Sequence, residues 1–204
     1  MKTLYLERST GSVRDGNWIA SLELDGVERI VVGTGPGSFA GIRAALAFAQ
    51  GFALGRPCEV LGLPSPCAIA AQLGGKGPLA VIGDARRGKL WISLFDGFSL
   101  VRDIFQIDSG VSVGPVPTIS GSVPTDEGSV PTDLSEVLVG SVPTDCRVVT
   151  PDEARIGAML KAAFGARYLG GQTPTAEGLR TFAEANPSLL TPEPRPIYLN
   201  PAVR

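Results

Sequence analysis

Apolar and polar residues alternate in short runs along the first hundred residues, and longer stretches of helical periodicity separate these runs. Runs with period two, or rich in β-branched residues, predict strands at residues 2–7, 18–24, 28–33, 59–63, 79–83 and 89–95. Apolar residues spaced three and four apart predict helices at 38–54 and 66–73, each followed by glycine. This succession of strands and helices predicts an α/β layered fold.

The periodicity weakens after about residue 100. The hexapeptide Gly-Ser-Val-Pro-Thr-Asp occurs three times, at residues 121–126, 128–133 and 140–145. The copies are irregularly spaced and each contains proline, so they predict an exposed loop with a short edge strand at 137–139 rather than a repeat fold. A recognition segment is the alternative interpretation, although no residue chemistry supports it.

Regular structure is predicted again towards the C-terminus. The sequence Thr-Pro-Asp-Glu at 150–153 matches a capping box with proline at the first helical position, and it opens a predicted helix that ends at Phe164. A second helix is predicted at 175–185 and a strand at 195–200. We therefore predict an N-terminal α/β lobe over residues 1–100 and a C-terminal lobe over 101–204, with a Pro/Gly-rich insertion at about 108–150.

A glycine-rich turn joins the strand at 28–33 to the helix at 38–54, and it reads Gly-Thr-Gly-Pro-Gly-Ser-Phe-Ala-Gly-Ile-Arg from residue 33. Unpaired N–H groups at the start of a helix attract phosphate or carboxylate, whereas glycines also let two backbones lie close together. The turn lacks the lysine of a Walker loop and the acid of a dinucleotide fingerprint, so we interpret it as a structural junction. The residues assigned to it are Gly35, Pro36, Gly37, Ser38, Gly41 and Arg43.

The helix at 38–54 carries small residues four apart, at Gly41, Ala45, Ala49 and Ala53. Such a stripe lets a helix pack closely against the sheet of its own domain or against a helix of another subunit. The interface residues predicted by the second interpretation are Phe39, Ile42, Ala45, Leu46, Ala49 and Ala53. Arg43 is a cation in the first helical turn, which indicates either a specific carboxylate or phosphate partner or an ordinary exposed ion pair.

Composition narrows the classes of function. The chain of 204 residues has a formal net charge of −2 and a pI of about 5.2, so it predicts no basic surface for nucleic acid or for an anionic membrane. It contains no histidine, which excludes Ser-His-Asp and Cys-His catalysis and histidine-based metal sites. Its three cysteines have no metal-ligand spacing and predict reduced thiols. No signal-peptide or membrane-span pattern is present, so the expected location is the cytoplasm.

Three stretches resemble the signatures of the TsaB family, also called YeaZ. The turn at 33–43 resembles G-x-G-P-G-S-F-T-G-[LI]-R, residues 84–95 resemble D-A-R-R-G-E-V-Y-x-x-x-F, and residues 195–201 resemble P-x-Y-L-R-P. All three occur in the family's order, and the first two are specific. The resemblance implies an actin-like, sugar kinase and Hsp70 (ASKHA, ribonuclease H-like) fold with two related lobes, the first of which is shortened here.

The resemblance also implies a non-catalytic scaffold role in making N6-threonylcarbamoyladenosine next to the anticodon of tRNA. TsaB proteins pair with the related catalytic subunit TsaD, whose metal is held by histidines, and work with the ATPase TsaE. The lack of histidine in this chain agrees with a non-catalytic role. We therefore expect TsaD-like and TsaE-like partners, a self-dimer when the chain is alone, and tRNA contact only through partners. We expect no membrane contact and no cofactor bound by this chain, with ATP in the partner complex.

The chain departs from the family pattern at three places. Leu6-Glu-Arg-Ser9 stands where the family has I-D-T-S, and its arginine argues against a nucleotide phosphate site. Ala40 replaces the signature threonine. The long helix that contributes to TsaB–TsaD pairing is missing between Leu24 and Glu28. These departures leave two alternatives: a homodimeric relative that has lost this pairing, and a nucleotide-binding or peptidase-like enzyme of the same superfamily.

Overall fold

The computed structural model describes residues 1–10, 18–108 and 134–199. The strands in these ranges are β1 (Lys2–Leu6), β2 (Val27–Gly33), β3 (Glu59–Leu63), β4 (Pro78–Arg86), β5 (Lys89–Asp96), β6 (Ser99–Ile107), β7 (Arg147–Thr150), β8 (Tyr168–Gly171) and β9 (Thr191–Pro192). The helices are α1 (Phe39–Ala53), α2 (Pro66–Gln72), α3 (Leu134–Gly140), α4 (Glu153–Phe164) and α5 (Ala176–Ala185). These elements form two compact units. The first contains the described residues up to 73 and from 173 to 199, and the second those between 74 and 172.

The first unit is built on a four-stranded sheet in the order β1–β2–β3–β9. Its first three strands are parallel, and the two-residue β9 pairs antiparallel with β3. Helix α1 packs against β2 and β3, and the core that it covers includes Leu6 of β1 and the fully buried Ile30 and Val32 of β2. Helices α2 and α5 pack against each other so closely that a Cβ atom on Gly178 would lie 2.4 Å from the backbone oxygen of Ala68. Only glycine fits at that crossing.

The second unit is built on a five-stranded sheet in the order β6–β5–β4–β7–β8. Strands β4, β5 and β6 form an antiparallel meander, whereas β7 pairs in parallel with β4, and β8 pairs in parallel with β7. Helices α3 and α4 cover this sheet, with Leu138, Leu160 and Phe164 buried against Ile82 and Ile92. Each unit therefore has its own hydrophobic core, as an α/β fold requires.

Most of the elements predicted for the first hundred residues are confirmed. Strands β1 to β5 and helices α1 and α2 begin and end within three residues of the predicted bounds, except for the segment at 18–24. The predicted cap of α1 is also confirmed, because the Ser38 hydroxyl accepts a hydrogen bond from Gly41 N at 3.3 Å. Helix α5 is confirmed in the same way, since the Thr175 hydroxyl accepts from Gly178 N at 3.1 Å.

Three of the predicted strands are wrong. Residues 18–21 form a 3-10 turn, in which Trp18 packs against the core beneath α1. Residues 137–139 lie in helix α3, because apolar residues at 134, 137 and 138 have helical spacing and Val137 and Leu138 face the core. The described part of 195–200 contains no strand. Its Ile197 N instead donates to Thr34 O at 2.9 Å, beside the glycine turn.

The capping box predicted at 150–153 is also wrong, because α4 begins at Glu153 and Pro151 lies outside it. The Thr150 hydroxyl accepts from Asp152 N, one position before the helix starts. Strands β6, β7 and β8 were not predicted. The two hexapeptide copies at 121–126 and 128–133 lie outside the described residues.

The predicted division of the chain at residues 100 and 101 falls inside β6. Because β6 is hydrogen-bonded to β5 along its length, the two sides of that boundary belong to one sheet. Among the described residues, the second unit instead lies between residues 74 and 172, and the chain returns from it to complete the first unit with α5 and β9. The N-terminal and C-terminal segments thus share one core.

Candidate functional site

The glycine turn between β2 and α1 is held by backbone hydrogen bonds on both sides. Thr34 N donates to Leu63 O, and Ser65 N donates to Gly35 O, each at 2.9 Å. Gly35 N in turn donates to the Ser65 hydroxyl at 3.1 Å. Thr34 N and Gly35 N are therefore engaged with the segment at the end of β3 and are not available to a bound anion.

The turn also lies directly against the segment that follows β1. Ser38 N donates to Ser9 O. A Cβ atom on Gly37 would lie 2.2 Å from that same oxygen, so only glycine allows the two backbones to approach this closely. These contacts support the interpretation of the turn as a structural junction that sets where α1 begins.

Glu7 places a carboxyl group beneath this junction. Its Oε1 accepts from Ser9 N at 2.7 Å, whereas its Oε2 is shielded from water and has no hydrogen-bond partner among the described residues. Burial raises the pKa of the Glu7 carboxyl, and the hydrogen bond from Ser9 N offsets this only in part. A carboxylate here positions the Ser9 segment but is costly to ionise.

Glu7→Gln is expected to stabilise the protein above neutral pH by about 1–3 kcal/mol. Because the folded-state pKa is raised, the Glu7 contribution is fully present below the unfolded-state pKa of about 4.3 and is lost as pH rises through the folded-state pKa. Glutamine keeps the acceptor for Ser9 N but never ionises. Urea unfolding of both proteins from pH 4 to pH 9 measures the difference, which should be near zero at pH 4 and grow with pH.

Glu59→Gln is the matched control, because Glu59 is an exposed carboxylate paired with Arg29 at 2.7 Å. Removing that charge should give no stabilisation at high pH. A Glu7→Gln effect that is constant across the pH range would contradict the assignment of burial as the cause.

The small-residue stripe of α1 faces the core of its own unit. Ile42, Ala45, Leu46 and Ala49 are all buried in the core between α1 and the sheet of the first unit. Their side chains therefore do not form a surface for a second chain, and the interpretation of the stripe as packing within its own domain is the one the structure supports. Of the predicted interface residues, Phe39 is exposed and Ala53 half-buried.

The opposite face of α1 is exposed and almost without charge. Its exposed residues are Phe39, Ala40, Arg43, Ala47, Gln50 and Gly51, and Leu54 follows at the C-cap with 81% of its surface exposed. Arg43 is the one charged side chain of the helix. An apolar helix face of this kind is typical of a protein–protein contact.

The exposed face begins at a group of three side chains, Phe39, Arg43 and Tyr198, which we call the aromatic–arginine cluster. The Phe39 and Tyr198 ring centroids lie 5.4 Å apart, and the Arg43 guanidinium carbon lies 4.0 Å from the Phe39 centroid. Arg43 Nε donates to the Tyr198 hydroxyl at 3.0 Å. Sequence reasoning named Phe39 and Arg43 but missed Tyr198, although its motif was recognised, because 155 residues separate it from Arg43.

A cavity of about 500 Å³ lies at the other end of α1. Its walls are Gln50, Ala53, Leu54, Val60, Glu193, Pro194 and Arg195. The segment at 193–198 therefore runs alongside α1, from the C-terminal end of the helix to the aromatic–arginine cluster. Both features border the same exposed helix face.

The second unit has a carboxylate pair at the ends of β4 and β7. Asp152 Oδ2 accepts from Asp84 N at 2.9 Å, and burial together with the nearby Asp84 charge raises the pKa of Asp152. Asp84 forms ion pairs with Arg86 at 3.1 Å and with Arg155 at 3.3 Å.

Within the described ranges, no three His, Cys, Asp or Glu side chains are grouped to hold a metal ion, and no helix is long and apolar enough to span a bilayer.

Part of the chain is similar in sequence to known proteins. The sequence profile of TsaD, tRNA N6-adenosine threonylcarbamoyltransferase, matches residues 18–108. The chain is 36% identical over 121 residues to an uncharacterized protein of Mycobacterium tuberculosis and to one of Mycobacterium bovis. Each match covers 58% of this chain and 56% of the relative. The chain thus matches little more than half the length of these curated relatives.

Structural comparison finds two solved structures with the same fold as this chain. YeaZ from Pseudomonas aeruginosa superposes with a TM-score of 0.58 at 18% identity, covering 88% of this chain and 79% of that one. An uncharacterized protein with similarity to peptidase YEAZ, also from Pseudomonas aeruginosa, gives a TM-score of 0.57 at 20% identity, covering 89% and 78%. The mixed α/β architecture with two sheets is the actin-like, ASKHA-type fold of these neighbours. The chain is thus similar in sequence to TsaD over residues 18–108, and it has the fold of the two YeaZ-related structures.

Proposed function

We propose that this chain is a non-catalytic subunit that pairs with a TsaD-like catalytic subunit in making N6-threonylcarbamoyladenosine next to the anticodon of tRNA. A TsaE-like ATPase completes the assembly, ATP binds within the partner complex, and tRNA contacts the partners rather than this chain. The assembly works in the cytoplasm. The sequence similarity to TsaD supports a role in this tRNA modification. The exposed face of α1 is the observation that carries the proposed pairing.

The physical argument concerns what α1 exposes to water. Its exposed side chains between Ala44 and Leu54 carry no charge, and a Cβ on Gly51 would meet no atom within 4 Å. Small residues leave room for a second helix to approach closely, and burying Phe39 and Leu54 would remove apolar area from water. The buried face of α1 already packs against its own sheet, so a partner would bind the opposite face.

Ala47→Glu is expected to abolish pairing while leaving the fold intact. Ala47 is exposed at the middle of the helix face, and a charge there would be desolvated in a helix–helix contact. Native mass spectrometry of the chain mixed with the TsaD-like subunit of the same organism, with and without ATP, measures pairing. The wild type should form a heterocomplex at micromolar concentration, and the variant should not.

Ala158→Glu is the matched control, because Ala158 is an exposed alanine in the middle of α4. This variant should pair like the wild type. A wild type that forms no heterocomplex would contradict the proposed function. A wild type that forms only a self-dimer would favour the homodimeric alternative, and nucleotide binding by the chain alone would favour an enzyme.

A further inference from the structure

The aromatic–arginine cluster exposes an unusual amount of aromatic surface. Phe39 is 53% exposed and Tyr198 is 51% exposed, although their rings contact each other. Aromatic residues and arginine are the side chains most enriched where single residues dominate the affinity of protein interfaces. The cluster also joins two sequence motifs that resemble family signatures, the glycine turn and the C-terminal segment.

Arg43 has an incomplete set of partners. In the described part of the chain it forms no ion pair, and its polar contact is the hydrogen bond from Nε to Tyr198. The two rings restrain its guanidinium plane. Both Nη groups are left without a hydrogen-bond partner among the described residues. A planar pair of N–H donors held in this way matches the two oxygens of one carboxylate.

We propose that the aromatic–arginine cluster binds an aspartate or glutamate side chain on the surface of the TsaD-like partner. The carboxylate accepts one hydrogen bond from each Nη of Arg43, and neighbouring apolar side chains of the partner cover Phe39 and Tyr198. This inference rests on the proposed function, because it names the chemistry by which that partner is recognised.

A carboxylate fits the cluster better than a phosphate of RNA. Surfaces that bind nucleic acid combine several cations, whereas this cluster supplies one on a chain of net charge −2. A protein side chain also brings a surrounding apolar surface, which excludes water from the ion pair and strengthens it.

Arg43→Ala is expected to weaken binding of the purified TsaD-like subunit from the same organism by at least about tenfold. The salt dependence of the remaining binding should also fall, since one ion pair is lost. Arg43→Lys keeps the charge but lacks the planar pair of donors, so it should weaken binding nearly as much. Isothermal titration calorimetry of the full chain at two NaCl concentrations measures both effects.

Arg180→Ala is the control for removing one positive charge, because Arg180 is an exposed residue of α5 paired with Glu177. It should bind within about twofold of the wild type. Thermal unfolding of each variant tests that the fold is kept. If the wild type binds no TsaD-like subunit, both proposals fail. If it binds and Arg43→Ala binds equally well, the carboxylate site alone is overturned; binding of the isolated chain to tRNA that depends on Arg43 would replace it with a phosphate site.

Discussion

Gly37→Ala is expected to destabilise the protein by about 3 kcal/mol. The added Cβ would lie 2.2 Å from Ser9 O, a backbone atom that cannot rotate away as a side chain could. The Ser9 segment is held in place because Ser9 N donates to Glu7 and Ser9 O accepts from Ser38 N. The clash therefore separates the glycine turn from β1 and removes the Ser38–Ser9 hydrogen bond. Urea unfolding followed by circular dichroism measures the loss.

Gly26→Ala separates this steric effect from the cost of a left-handed backbone. Gly26 has a φ of +70°, and a Cβ there would meet no atom within 4 Å. Its substitution should cost about 1 kcal/mol, from backbone conformation alone. If Gly37→Ala costs no more than Gly26→Ala, the close approach to Ser9 is not what holds the junction.

Ala45→Leu is expected to destabilise the protein by about 3 kcal/mol, through overpacking. Ala45 is fully buried between α1 and the sheet, beside Ile30 and Val32, and no space is available for three more carbon atoms. Helix α1 must therefore move away from β2. Thermal and urea unfolding of the isolated chain measure the effect.

Ala47→Leu makes the same change two residues later, on the exposed face. It should alter stability by no more than about 0.5 kcal/mol. The pair tests directly which side of α1 is core, because a subunit contact made by the small-residue stripe would give the reverse result: a stable Ala45→Leu monomer that no longer associates.

Local sequence patterns predicted much of the fold. The β-branched run before the glycine turn predicted β2, and Ser38 followed by apolar residues three and four apart predicted α1 with its cap. Both signals depend only on neighbours in the chain. The failures are segments whose structure depends on distant partners: β9 forms only because β3 lies beside it, and Val137 and Leu138 are helical because the core of the second unit buries one face.

The candidate site shows the same division. Sequence reasoning interpreted the glycine turn as a junction and left two interpretations of the stripe on α1. Only burial could decide between them, because Ala45 and Ala47 are chemically identical and differ in which side of the helix meets the sheet. The sequence likewise did not predict that Tyr198 belongs to the aromatic–arginine cluster, since no residue near it in the chain indicates a contact with Arg43.

By itself, then, the sequence determined the order of the first strands and helices, the glycine turn and its resemblance to the TsaB family, and the absence of histidine chemistry. The tertiary structure decided which face of α1 is buried, how residues before 74 and residues 173–199 share one core, and where Arg43 and Tyr198 meet. The physical reason is the separation in sequence between the residues that interact. Periodicity, caps and turns record interactions between residues a few positions apart, whereas burial and side-chain pairing arise between segments that only the folded chain brings together.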